Sequence, residues 1–236
     1  MNIGSSVDIN LQKKPRIVEI IGPAGVGKTT LFHALNNYQD QILLGNFPNV
    51  RNIINVPFFI WYGLQIIPPL LGIPKHNSRQ LSRREFAWMS ILTGWPVVLQ
   101  NNAKKSAKVI VLDQGPVYLL AEMREFGPEY LKCKQAEKLW VELFSRWAGT
   151  LDMIVWLDAQ DIDLIERIRN REQEHVVKNE PAPKVLEFLE RYRNAFEDVL
   201  SMLEANSPGL RVLRFDTSLK NPGEIVDKLL GEFHLS

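Results

Sequence analysis

One cysteine, Cys133, is all that the 236 residues contain, so no internal disulfide can form. That usage fits a reducing, cytoplasmic setting. The opening stretch MNIGSSVDINLQKKP has no apolar core of the signal-peptide kind and reads as a short tail before a first strand. An excess of one charge is lacking as well: 28 Lys and Arg stand against 27 Asp and Glu, for a net charge of +1. Such a balance argues against a nucleic-acid-coating surface, and 45% hydrophobic residues argue against a disordered chain. No internal repeat or low-complexity tract is present. One scarcity is local: from Gln41 to Arg84 there is no aspartate or glutamate, and NIINVPFFIWYGLQIIPPLLGIP (52–74) carries no charge at all.

The apolar runs RIVEII (16–21), KVIVLD (108–113), DMIVWLD (152–158) and LRVLRFD (210–216) read as buried strands, with QILLGNF (41–47) as a fifth. Helical stretches separate them. KTTLFHALNNY (28–38) is one, and Ser82 with Glu85 has capping-box spacing for another. Pro128 suits the first turn of a helix reaching about Gly149, and Pro183 to Ala205 has helical periodicity through Val185, Leu186, Leu189, Phe196, Leu200 and Leu203. Asn221, Pro222 and Glu224 mark a last helix start. The alternation implies an α/β fold in three layers, a parallel sheet of about five strands with helices on both faces, in a single domain over 1–236.

The segment GPAGVGKTT matches the phosphate-loop pattern through Gly22, Gly27, Lys28 and Thr29, and it lies between an expected strand and an expected helix. Backbone N–H groups from Gly22, Pro23, Ala24, Gly25, Val26, Gly27, Lys28, Thr29 and Thr30 (Pro23 excepted, which has none) would surround a nucleotide's phosphates. Lys28 would reach the β- and γ-phosphates and the Thr29 hydroxyl would ligate Mg²⁺. The Asn-Lys-x-Asp motif of GTPases and the Leu-Ser-Gly-Gly-Gln signature of transporter ATPases are both absent, and no Asp-Glu pair ends a strand.

With the loop, three further features resemble the nucleotide and nucleoside kinase group of phosphate-loop proteins, which includes adenylate and thymidylate kinases. Asp113 ends a strand, and the resemblance implies that it orders the Mg²⁺ shell or helps activate the acceptor. VWLDAQDIDLIERIRNREQEH looks like the strand and helix that enter an arginine-bearing lid, here 170–182. Arg167 and Arg171 are expected to share a helix face, Arg167 against the adenine and Arg171 on the transferring phosphoryl group. Arg169 points elsewhere on such a helix but could reach phosphate in an irregular lid; His175 and Lys178 follow in the same stretch, with His175 read as a surface residue, and Asp158 reads as a cap for its strand. RFDTSLKNPGEIVDKLL resembles the last strand, loop and helix of the group, placing Thr217, Ser218 and Leu219 beside the adenine. The implied activity is ATP- and Mg²⁺-dependent phosphoryl transfer to a small acceptor.

The pattern departs from the group on the acceptor side, expected over 39–107. The group's acidic acceptor motif is missing, while Arg51, Lys75, Arg79, Arg83 and Arg84 are present. Gln114 stands where thymidylate and deoxynucleoside kinases commonly have an arginine. These departures argue against a straightforward thymidylate or deoxynucleoside kinase. The cations point to an anionic acceptor: a nucleoside monophosphate, a sugar phosphate or a lipid-linked phosphate. A transmembrane reading of 52–74 conflicts with Pro57, Pro68 and Pro69, which would break the helix. Short helices over the acceptor pocket, a homodimer interface, and a membrane- or lipid-docking surface remain open for this segment. A regulatory ATPase with a partner on 52–74 and a phosphate-loop sulfotransferase are the alternative activities.

Overall fold

A computed structural model describes residues 16–49, 52–75 and 78–234. The tail expected before the first strand, and Arg51, lie outside these residues. Among the described residues, five parallel strands form one sheet: β1 (Ile17–Ile21), β2 (Ile42–Gly45), β3 (Val109–Asp113), β4 (Met153–Asp158) and β5 (Arg211–Asp216), in the order β2-β3-β1-β4-β5. β1 is central, and its neighbours set Ile20 beside Asp113 and Ile21 beside Trp156. The chain leaves β1, β3, β4 and β5 at the same edge of the sheet, where ligands of open α/β folds bind.

Among the described residues, eight α-helices connect and cover the strands: α1 (Lys28–Leu35), α2 (Val56–Leu71), α3 (Arg83–Lys105), α4 (Pro116–Ala121), α5 (Glu137–Ala148), α6 (Asp161–Asn170), α7 (Ala182–Asn206) and α8 (Pro222–Glu232). Strand alternation divides the core in two. Ile17, Ile21, Ile110, Leu112, Ile154 and Trp156 face α3, α4, α5 and most of α7. Val18, Ile20, Val109, Val111, Val155 and Leu157 face α1, α6 and α8. Both expected capping boxes form, with Ser82 and Glu85 opening α3 and Asn221 and Glu224 opening α8. Each satisfies two backbone donors that a helix start would otherwise leave bare.

Three expectations need correction. The helix from Pro128 breaks into two 3₁₀ turns, Glu129–Lys132 and Lys134–Ala136, before α5 begins at Glu137. Extended backbone at Cys133 interrupts it. In α7, Leu186 is exposed instead of joining the apolar face. The segment 52–74 is neither broken by its prolines nor divided into short helices. It forms a 3₁₀ turn at Ile53–Asn55 and the continuous α2. Pro57 occupies the first turn, where a missing N–H costs nothing, while Pro68 and Pro69 lie inside the last turn, where their missing N–H groups leave the Leu64 and Gln65 carbonyls without i−4 donors just before α2 stops at Leu71.

Candidate active site

The phosphate loop leaves β1 at Gly22 and enters α1 at Lys28. Gly22 has φ +147°, and a Cβ there would stand 2.2 Å from the Leu157 carbonyl oxygen of β4, so only glycine fits. The Lys28 ammonium donates to the carbonyl oxygens of Gly22 (2.7 Å) and Pro23 (2.9 Å), which holds it over the loop. Burial pushes this ammonium down to about 8; Asp113 opposes that shift and the like charge of Arg171 adds to it.

Asp113 ends β3 beside the start of the loop. Its carboxylate accepts the Gln114 N–H, but Oδ1 is buried with no hydrogen-bond partner. Burial raises its pKa, while Lys28 and then His33 pull it down. A buried carboxylate oxygen left unsatisfied is costly and marks a position that serves a ligand. Gln114 has φ 53°, a left-handed conformation rare for a residue with a side chain. It turns the chain from β3 into α4, and its side chain lines the cleft beside the loop.

The turn is held from beneath by Glu19, a residue of β1 that sequence reasoning passed over. Glu19 is fully buried on the face it shares with Ile17 and Ile21. Its carboxylate accepts N–H groups of Val117 (2.9 Å) and Tyr118 (3.2 Å), donors of the α4 start that have no partner within the helix. Burial drives its pKa up from 4.5 to about 8, against the pull of those amides. A Cβ on Gly115 would lie 2.8 Å from this carboxyl group, so the glycine admits it. A charge within an otherwise apolar strand was the signal available.

α6 and the loop after it contribute the arginines. Arg167 donates to the Thr217 hydroxyl (2.9 Å) and carbonyl (3.1 Å), which ties α6 to the loop between β5 and α8. Arg171 does not share its helix face: α6 ends at Asn170 and Arg171 is extended. Lys178 donates to the Arg171 carbonyl (2.7 Å), satisfying a group that a continued helix would have bonded. Arg171 nonetheless faces the same cleft as Arg167, Lys28 and Thr29. His175 lines it too, edge-on to Phe188, and burial lowers its pKa. Arg169 and Leu219 are exposed. Ser218 is not part of the lining; its hydroxyl accepts the Gln160 N–H at 3.0 Å. Asp158 accepts the Ala159 N–H (2.8 Å) and pairs with Arg193 of α7 (2.9 Å), which extends the expected capping role.

The cleft has a volume of about 640 Å³. None of the described residues of 39–107 lines it. Its far wall comes from Tyr118 of α4 and from Phe188, Tyr192 and Phe196 of α7. Tyr192 donates to the Glu122 carboxylate, and Tyr118 bonds the same group, so both phenols are held protonated with pKa values raised by burial and then by Glu122. Core-like spacing hid the α7 aromatics, since one helical stripe serves both core and cleft. Of the expected acceptor-side cations, Arg79 is engaged by Glu85 (2.6 Å), and the Arg84 guanidinium stacks 4.4 Å from the Trp88 ring.

No protein-family model matches the chain, and no curated protein matches it either. Solved structures do. Deoxyadenosine kinase from M. mycoides with bound dATP aligns with a TM-score of 0.51 at 15% identity, over 91% of this chain and 99% of that one. The same enzyme with dCMP and dCDP products aligns with a TM-score of 0.52 at 14% identity, over 92% and 98%. The chain therefore has the three-layer α/β fold of phosphate-loop nucleoside kinases.

Proposed function

We propose that the protein transfers the γ-phosphoryl group of ATP to a small, anionic, nucleotide-like acceptor. The observation that carries this reading is the convergence of Lys28, Arg167 and Arg171 on one cleft at the carboxyl edge of the sheet, with Asp113 near enough to the Lys28 ammonium to favour its charge. An acceptor oxygen attacks the γ-phosphorus, the bond to the β-bridging oxygen breaks, and ADP leaves with that electron pair. The acceptor's proton passes to Asp113 or to solvent. Loop N–H groups and Lys28 neutralise the β- and γ-phosphates, Arg171 meets the transferring group, and Arg167 with Thr217 borders the adenine. Mg²⁺, where bound, would add charge neutralisation at the phosphates. Thr29 and the unsatisfied Asp113 oxygen fit that ion's hydrated shell. The aromatic wall of Tyr118, Phe188, Tyr192 and Phe196 suits a planar base, and the Gln114 amide can both donate to it and accept from it. Residues 170–182 would act as the lid that excludes water.

The exposure of α2 favours one second reading, a regulatory ATPase whose partner sits on that helix. Incubation with ATP and a panel of nucleosides, nucleoside monophosphates and sugar phosphates separates the two. The kinase reading expects a product heavier by one phosphoryl group and dependent on Lys28. ATP hydrolysis without any phosphorylated product would favour the regulator. Thermal-shift ranking of ATP against the sulfuryl-donor nucleotide tests the sulfotransferase alternative.

A further inference from the structure

α2 is apolar on both sides. Its inner side packs on the core: Ile66 and Leu70 are buried, Phe58 and Phe59 pack on the same cluster, and Gly63 lies against the Phe86 ring. The Tyr62 ring lies so close to α3 that a Cβ on Gly94 would stand 2.2 Å from it. This contact locks α2 to the domain. The outer side is a continuous apolar stripe with no described residue packed over it. Ile60, Leu64, Ile67 and Leu71 follow at steps of four, three and four, with Trp61 beside them, and Ile53 and Ile54 extend the row into the preceding turn. Ile53 is 81% exposed, Trp61 64% and Leu71 72%. A soluble surface rarely carries so long an apolar row.

Length and composition would let Ile53–Leu71 cross a bilayer, but the packing against α3 forbids it. A helix of about 24 Å fixed along one side to a folded domain can only lie in the plane of a surface. Charge indicates which surface. No carboxylate stands between Gln41 and Arg84, and Lys75 and Arg83 have no acidic ion-pair partner among the described residues. A two-fold pairing of this segment with a second copy would offer these cations no carboxylate from 41–84. An anionic bilayer supplies the opposite charge, and Trp61 belongs to the residue type that settles at the headgroup level.

We infer that the stripe Ile53–Leu71 seats the protein on an anionic membrane surface, as an in-plane helix that does not span. Sedimentation of the full chain with vesicles tests it. Phosphatidylcholine vesicles containing phosphatidylglycerol should bind about tenfold or more tightly than phosphatidylcholine alone, and added salt should weaken the binding. Leu64→Glu should cut binding by about tenfold or more while leaving the melting temperature and nucleotide binding unchanged. Lys75→Glu should lower binding to the anionic vesicles alone. The inference is overturned if the wild type does not sediment with vesicles, if it binds both lipids equally, or if Leu64→Glu binds as before. Dimerisation without vesicle binding, abolished by Leu64→Glu, would assign the stripe to a second copy instead.

Discussion

Lys28 is the residue on which the proposed phosphoryl transfer turns, and its titration gives a direct handle. With its ammonium pushed down to about 8, the cation that meets the phosphates is lost as pH rises through that value. ATP affinity should therefore fall across pH 8, and titration calorimetry one unit either side measures it. Lys28→Ala should remove this dependence and reduce phosphoryl transfer by roughly 10²–10³-fold. Asp113 makes a paired prediction. Its buried, unsatisfied oxygen costs the fold energy, so Asp113→Asn should raise the melting temperature while lowering turnover about 10²-fold. A variant that lost both stability and activity would contradict the role given to that oxygen.

At the scale of elements, the β3–α4 turn depends on a carboxyl group from β1. Glu19 has a folded pKa of about 8 against 4.5 in the unfolded chain. The folded state therefore holds the proton more tightly, so this contribution is complete below pH 4.5 and is lost as pH rises through about 8. The melting temperature should fall between pH 5 and pH 8 (about the span of that shift), and Glu19→Gln should flatten the slope. Differential scanning calorimetry across that range decides it. The α2–α3 contact gives another test: Gly94→Ala places a methyl group into the Tyr62 ring and should destabilise by about 1–3 kcal/mol in chemical denaturation. These two elements also mark how far the sequence could be read. Apolar runs and caps made the strands and the starts of α3 and α8 legible, because those signals are local. Arg171 left its helix through a tertiary bond from Lys178, and periodicity carries no record of such a bond. α2 was opaque for a different reason: composition is the same whether an apolar helix is covered or bare.

For the whole molecule, the phosphate loop was visible because its motif has fixed spacing between a strand and a helix, whereas Asp113 and the arginines were singled out through the resemblance to the kinase group. The aromatic wall of the cleft was not, because the chain draws it from α4 and α7, which are distant in sequence from the loop. Nucleotide binding should stabilise the whole fold by mass action, with a melting temperature that rises with ATP concentration and does not rise in Lys28→Ala. The central claim is group transfer between two ligands in one cleft, and radiolabel from γ-labelled ATP tests it most directly. The protein, supplied with Mg²⁺ and the acceptor panel, should move label onto a nucleoside or nucleotide, and Lys28→Ala should not. Release of all the label as inorganic phosphate, with every acceptor unlabelled, would contradict the account.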